Sequence, residues 1–210
     1  KVALWLPFTL LLCCNSKPKN NTPIISPGYI KNAAIKIDQA KPLLQNGDLI
    51  FRSGNDEVSR AARSMNRKDT SFSHCGIIFK ENDTVFVYHA LGGNYNPSQA
   101  LLRQPMDSFC NPKENNAFGI YRYPLSSGKL IEFQKIVQHY YSDKLKFDLF
   151  FNFFSDDKMY CSEFVFKSLN KTLVGSLTRY LRLDTIPFGV TTDDLFLLPE
   201  SKLVLKESFK

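Results

Sequence analysis

Two short runs, Cys75-Gly76-Ile77-Ile78-Phe79 and Thr84-Val85-Phe86-Val87-Tyr88, stand a few residues apart, with the polar Glu81-Asn82-Asp83 between them. β-Branched and aromatic residues in runs of this length read as strands. A connection this short turns the chain back on itself, so the pair predicts an antiparallel β-hairpin. Each outer end of the hairpin carries a histidine, His74 before the first run and His89 after the second. Side chains alternate along a strand, so the two imidazoles share a sheet face only if the turn holds an even number of residues or a bulge supplies the shift. Sharing is expected, on the face turned toward Cys161. Imidazole titrates in the range useful to a general base, and such a base needs a third polar group to hold its tautomer.

The thiol that such a base would serve is in Tyr160-Cys161-Ser162-Glu163-Phe164-Val165. After Cys161 the apolar positions Phe164, Val165 and Leu169 recur at helical spacing, with Asp156 and Asp157 just upstream, which puts the cysteine at a helix N-terminus. Unpaired N–H groups and the positive end of the helix dipole favour thiolate, the nucleophilic form. A lone cysteine on a helix is ordinarily a small buried hydrophobe, but this one has two strand-end histidines to match it. The third histidine, His139, falls on the solvated side of a predicted helix. The backbone N–H of Cys161 is one candidate oxyanion donor, and Tyr160 or a residue near Asp48 a second.

The remaining pattern supports one catalytic domain over residues 37–210. Asp48-Leu49-Ile50-Phe51-Arg52 reads as a strand, and Asn55 can cap a helix with Val58, Ala61, Ala62 and Met65 on one face. Residues 94–112, with three prolines, read as a loop shaping the groove. Phe118–Tyr123 is another strand, Ser126 or Ser127 caps a helix using Leu130, Phe133, Val137 and Tyr140, and residues 202–205 suggest a last strand. The class is α+β with a mostly antiparallel sheet. The aromatic stretch Phe147, Phe150, Phe151, Phe153 and Phe154 is by default core packing, with an acyl-chain pocket as the alternative. At 43% hydrophobic and 13% aromatic residues, the 210-residue chain needs no disulfides to build a core. The five cysteines offer no paired ligand spacing for zinc, so neither metal nor cofactor is expected. Cys75 reads as core and Cys110 as a loop residue able to be exposed, with a bond between them left open.

These residues resemble the circularly permuted branch of the NlpC-type, papain-like cysteine hydrolases, the YiiX/YebB-like group. The resemblance runs from about Gly47 onward and rests on "GDLIF" at Gly47–Phe51, "SHCGI" around His74, "VYHA" around His89, Phe147-Asp148, "YCSEFV" around Cys161 and the late Thr192-Asp193-Asp194-Leu195. It implies a permuted papain-like fold with Cys161 as nucleophile, His74 as base and His89 in the third position. A common version of the family carries glutamate there, whereas relatives such as the lecithin retinol acyltransferase group carry histidine. The implied activity is hydrolysis of an amide, peptide or aminoacyl and cell-wall derived, through an acyl-enzyme. Lipid-directed amidase, esterase or acyltransferase chemistry on the same residues, and a non-catalytic binding lipoprotein, are the alternatives.

The N-terminal stretch has a different character. Lys1 precedes the apolar run 2–12, too short to span a bilayer, which ends in Cys13-Cys14 before a polar, proline-containing segment. This resembles a bacterial lipoprotein signal over residues 1–14, acylated at Cys14, with residues 15–36 as a tether. The expectation is a monomer held on a cell-envelope membrane. The net charge of +7, from 27 basic and 20 acidic residues, is scattered and forms no nucleic-acid reader. Attraction to an anionic envelope surface is compatible with it.

Overall fold

The structure, a computed structural model, describes residues 26–184 and 189–209. Cys14 and the apolar run before it lie outside the described residues. Six antiparallel strands, β1 (Leu49–Gly54), β2 (His74–Glu81), β3 (Thr84–His89), β4 (Leu102–Pro105), β5 (Asn115–Arg122) and β6 (Lys202–Ser208), form one sheet in the order β4-β3-β2-β1-β5-β6. The predicted hairpin is β2–β3. Glu81 pairs with Thr84, leaving a two-residue turn in which Asn82 takes φ 52°, and an even turn puts residues 74, 76, 78 and 89 on one face.

Helix α1 (Pro27–Ala40) begins at the Ser26 cap with proline in its first turn, inside the stretch expected as tether. Ala33, Ile37 and Ala40 repeat at helical spacing and are buried. They pack with Ile50, Ile78, Val87, Phe118 and Ile120 against one sheet face. The other face carries Leu49, Phe51, Cys75, Ile77 and Phe79. It is covered by α4 (Ser127–Ser142), through Phe133 and Val137, and by α5 (Cys161–Thr172), through Phe164, Val165 and Leu169. Helix α6 (Thr192–Phe196) adds Leu195 and Phe196 to this core.

Three local expectations shift. Helix α2 (Glu57–Ser64) is capped by Asp56, which accepts from Ser59 N at 2.7 Å, instead of by Asn55. Its apolar stripe meets no core, with Val58 66% exposed. Within the proline-rich stretch lie β4 and the short helix α3 (Met106–Phe109), because β3 offers an unpaired edge that Leu102–Pro105 fills. Cys110 follows α3 and is buried among the α1-face residues, whereas Cys75 belongs to the opposite core, so the two thiols are free and separated by the sheet.

Candidate active site

The site forms where the start of β2, the end of β3 and the first turn of α5 meet. Backbone alternation sends Cys75 toward α5 and leaves His74 on the other face, beside Phe109. His89 joins it there, buried and packed on the same ring with centroids 5.0 Å apart. The histidines therefore share a face, as expected, but it is the face away from the body of α5, because His74 and Cys75 necessarily point opposite ways. Contact with α5 is made at the strand's end, where the Cys75 thiol and the backbone N–H groups of Cys75 and Ser162 act on Cys161 to favour its thiolate. Gly76 keeps the assembly close. A Cβ there would lie 2.6 Å from Val87 Cγ1 and 2.8 Å from the Tyr88 carbonyl oxygen.

A line of hydrogen bonds orders the imidazoles. His74 Nε2 lies 2.9 Å from His89 Nδ1, and His89 Nε2 lies 3.1 Å from Gln104 Oε1. An amide oxygen only accepts, so His89 carries its proton on Nε2 and presents a bare Nδ1. His74 must then donate from Nε2, which leaves its Nδ1 unprotonated. Gln104 escaped the sequence reading because it lies in the segment read as loop. The run Leu102-Arg103-Gln104-Pro105 has no alternation that singles it out.

Burial sets the charge states. Desolvation, followed by the nearby Arg52 charge and then His89, pushes His74 well below the usual imidazole range, and desolvation and Arg52 bring His89 down to about 3. Both rings are neutral at neutral pH. Hydrogen bonding from Cys75 pulls the Cys161 thiol below its ordinary value against the opposing effect of burial, with further help from the backbone N–H groups and Arg52. Burial pushes Cys75 well above the ordinary value, which makes it the donor of the pair. Burial likewise raises Cys110. Arg52 is itself held by the Phe109 carbonyl at 3.1 Å and stacks on the Phe109 ring.

The Cys161 helix is fixed by Glu163, whose Oε2 accepts from Tyr160 N at 3.2 Å while Oε1 meets Lys167. Tyr160 turns its hydroxyl to the Val190 N–H at 3.3 Å. Asp48 stands at the opposite end of β1 from Arg52, the strand partner of His74, and is locked by Arg122, so it is a structural ion pair and supplies no oxyanion donor. The late motif also acts by position: buried Asp193 accepts the N–H groups of Arg67, Lys68 and Asp69, tying α6 to the segment ahead of His74. His139 is exposed beside Asp143, as expected.

Two openings flank the site. A groove of about 460 Å³, including its mouth, is lined by Cys161, Ala62, Met65, Phe151, Tyr160 and Val190. A polar hollow is bounded by Arg52, Tyr95, Gln104, Asp107, Asn111 and Glu114. The aromatic stretch is not the expected core: Phe153 is buried, but Phe150, Phe151 and Phe154 are 89%, 44% and 70% exposed. Their projection follows from Asp148, a buried carboxylate that accepts from Phe150 N at 2.8 Å and from Asn152 N and so holds a turn in which Phe151 has φ 53°.

An antiparallel sheet carrying the histidines first, followed by a helix with the cysteine at its N-terminus, is the papain-like arrangement in permuted order. The chain belongs to the C92 family of permuted papain-like amidase enzymes (YaeF/YiiX), whose model matches residues 43–188. It is thereby an amidase- or peptidase-type hydrolase. Its fold is similar to the crystal structure of the metalloprotein yiiX from Escherichia coli O157:H7, with a TM-score of 0.57 and 21% identity over 78% of this chain and 98% of that one. Among the described residues no three His, Cys, Asp or Glu side chains gather in a metal-binding group, and His74 Nε2 and His89 Nδ1 bond to each other, so the residues here do not fit a metal centre. No curated protein matches the chain.

Proposed function

We propose that the protein is a cysteine amidase. Cys161 gives up its proton to His74 Nδ1 and attacks the carbonyl carbon. The tetrahedral intermediate collapses as His74 returns the proton to the leaving amine, and water activated by the same nitrogen releases the acyl group from sulfur. His89 and Gln104 position the base without touching substrate. The observation that carries this reading is the ordered line Gln104–His89–His74, since it leaves His74 Nδ1 unprotonated and able to take up a proton. Peptide and aminoacyl amides remain within this class, while Phe151, Met65 and Val190 in the groove wall favour an amide with an apolar acyl part.

The membrane reading of the N-terminus belongs here too: acylation at Cys14 would hold the domain as a monomer on the cell envelope. No helix among the described residues is long and apolar enough to cross a membrane. Replacing Cys14 by serine should release the chain from the membrane fraction.

The chemistry is tested by mixing excess enzyme with an activated amide, quenching in acid and measuring intact mass. A single acyl adduct mapped to Cys161 is expected, absent from Cys161→Ala. Turnover retained in Cys161→Ala would refute it.

A further inference from the structure

The Cys161 groove is lined by Phe151 and by Ala62 and Met65 of the α2 segment. The chain neighbours of these residues are apolar and exposed: Leu149, Phe150 and Phe154 are 50%, 89% and 70% exposed beside Phe151 at 44%, and Val58 is 66% exposed beside Met65 at 37%. Val58, Ala62 and Met65 fall at i, i+4 and i+7, one face of the helix and its first following residue, and that face finds no core to pack on. The aromatic side is not a frayed loop, because the buried Asp148 carboxylate stitches it and Phe151 spans from groove wall to outer surface. Soluble surfaces seldom display so many large apolar side chains together unless something covers them.

We propose that this rim docks on a lipid bilayer, so that the groove opens into the membrane surface and receives an amide bearing an acyl chain. The substrate class rests on the amidase reading above. The docking does not depend on it.

Three observations favour a bilayer over a protein partner. The patch is split across the two lips of a groove that ends at a nucleophile, the shape needed to pass a chain out of an apolar phase. Exposed Arg60 and Lys68 stand beside the α2 lip, and exposed Lys144, Lys146 and Lys158 beside the aromatic one. Of the acidic side chains there, Glu57 is paired with Arg60 and Asp156 with Lys167, while Asp143 and Asp157 are exposed among the lysines. Aromatic tips flanked by lysines suit the boundary between acyl chains and anionic headgroups. Finally, the same chain carries the apolar run 2–12, and eleven residues separate Cys14 from Ser26, a span of at most about 40 Å when extended.

The test uses the full chain. Its sole tryptophan is Trp5, so Trp5→Phe with Phe150→Trp reports on the rim alone. Bound to vesicles of phosphatidylcholine and phosphatidylglycerol, the indole should shift to the blue and be quenched by brominated acyl chains. Emission typical of water, or a blue shift without bromine quenching, which would signal a protein covering, overturns the proposal. In a second arm, Phe150→Asp with Phe154→Asp should lower turnover of a long-chain N-acyl amide in vesicles at least about tenfold, roughly 1.4 kcal/mol. Turnover of a short soluble N-acyl amide should be unchanged. Equal losses on both substrates would also overturn it. If the parent chain cleaves neither amide, the amidase reading fails, and bromine quenching still decides the docking.

Discussion

Replacing Gln104 with leucine tests the ordering of the base most directly. The substitution removes the acceptor 3.1 Å from His89 Nε2 and leaves a buried N–H without a partner, a penalty of about 1–3 kcal/mol. His89 avoids that penalty by moving its proton to Nδ1. His74 must then accept through Nε2 and carry its own proton on Nδ1, the nitrogen that should receive the thiol proton. At about 1.36 kcal/mol per tenfold in rate, kcat/KM falls roughly 5- to 150-fold. The assay is steady-state hydrolysis of a soluble amide, with thermal unfolding recorded on the same samples to exclude loss of folded enzyme. Gln104→Glu keeps an acceptor oxygen and should recover most of the loss. A leucine variant within about twofold of the parent, or an equal loss in both variants, would refute the ordering argument.

Cys161 should be the first thiol alkylated by iodoacetamide at mildly acidic pH, since its thiolate is favoured while burial raises Cys75 and Cys110; peptide mapping showing Cys75 or Cys110 modified first would contradict this. Because His89 is lowered from 6.5 to about 3 by burial, the unfolded chain binds its proton first. Stability is therefore held above pH 6.5 and lost as the pH falls toward 3, with a slope of at most about 1.4 kcal/mol per pH unit from this group. Urea midpoints across that range should fall less steeply in His89→Phe. Gly76→Ala should push β3 away from β2 through the Val87 and Tyr88 contacts, lowering kcat at least about tenfold while leaving a folded circular dichroism spectrum.

The parts of the site legible in the sequence are those whose local pattern and tertiary fate agree. The hairpin with its two histidines and the cysteine-headed helix announce themselves by period and turn chemistry. Gln104 does not, because β4 is a strand only by virtue of the β3 edge it pairs with, and four residues ending in proline carry no alternation. Helix α1 did carry a signal, a serine–proline start and Ala33, Ile37 and Ala40 in register, which the resemblance to a tether obscured. The phenylalanines mislead for a different reason: composition predicts burial, but Asp148 turns the backbone so that Phe150 and Phe154 point outward. Cys75 reads correctly as core, and only its position against Cys161 reveals that it also tunes a thiol.

The two halves of the proposed reaction centre are contributed by distant stretches of chain, the imidazoles by residues 74 and 89 and the sulfur by residue 161, with Asp193 fastening the segment ahead of His74 later still. During synthesis the histidine hairpin can be complete long before the nucleophile has left the ribosome. On that proposal a nascent polypeptide lacks its nucleophile until residue 161 has been added. On the same proposal, a nick at the exposed Asp143–Lys144 link would divide the chain into two inert fragments, one holding His74 and His89 and the other Cys161, whose reassociation could be followed by the return of turnover.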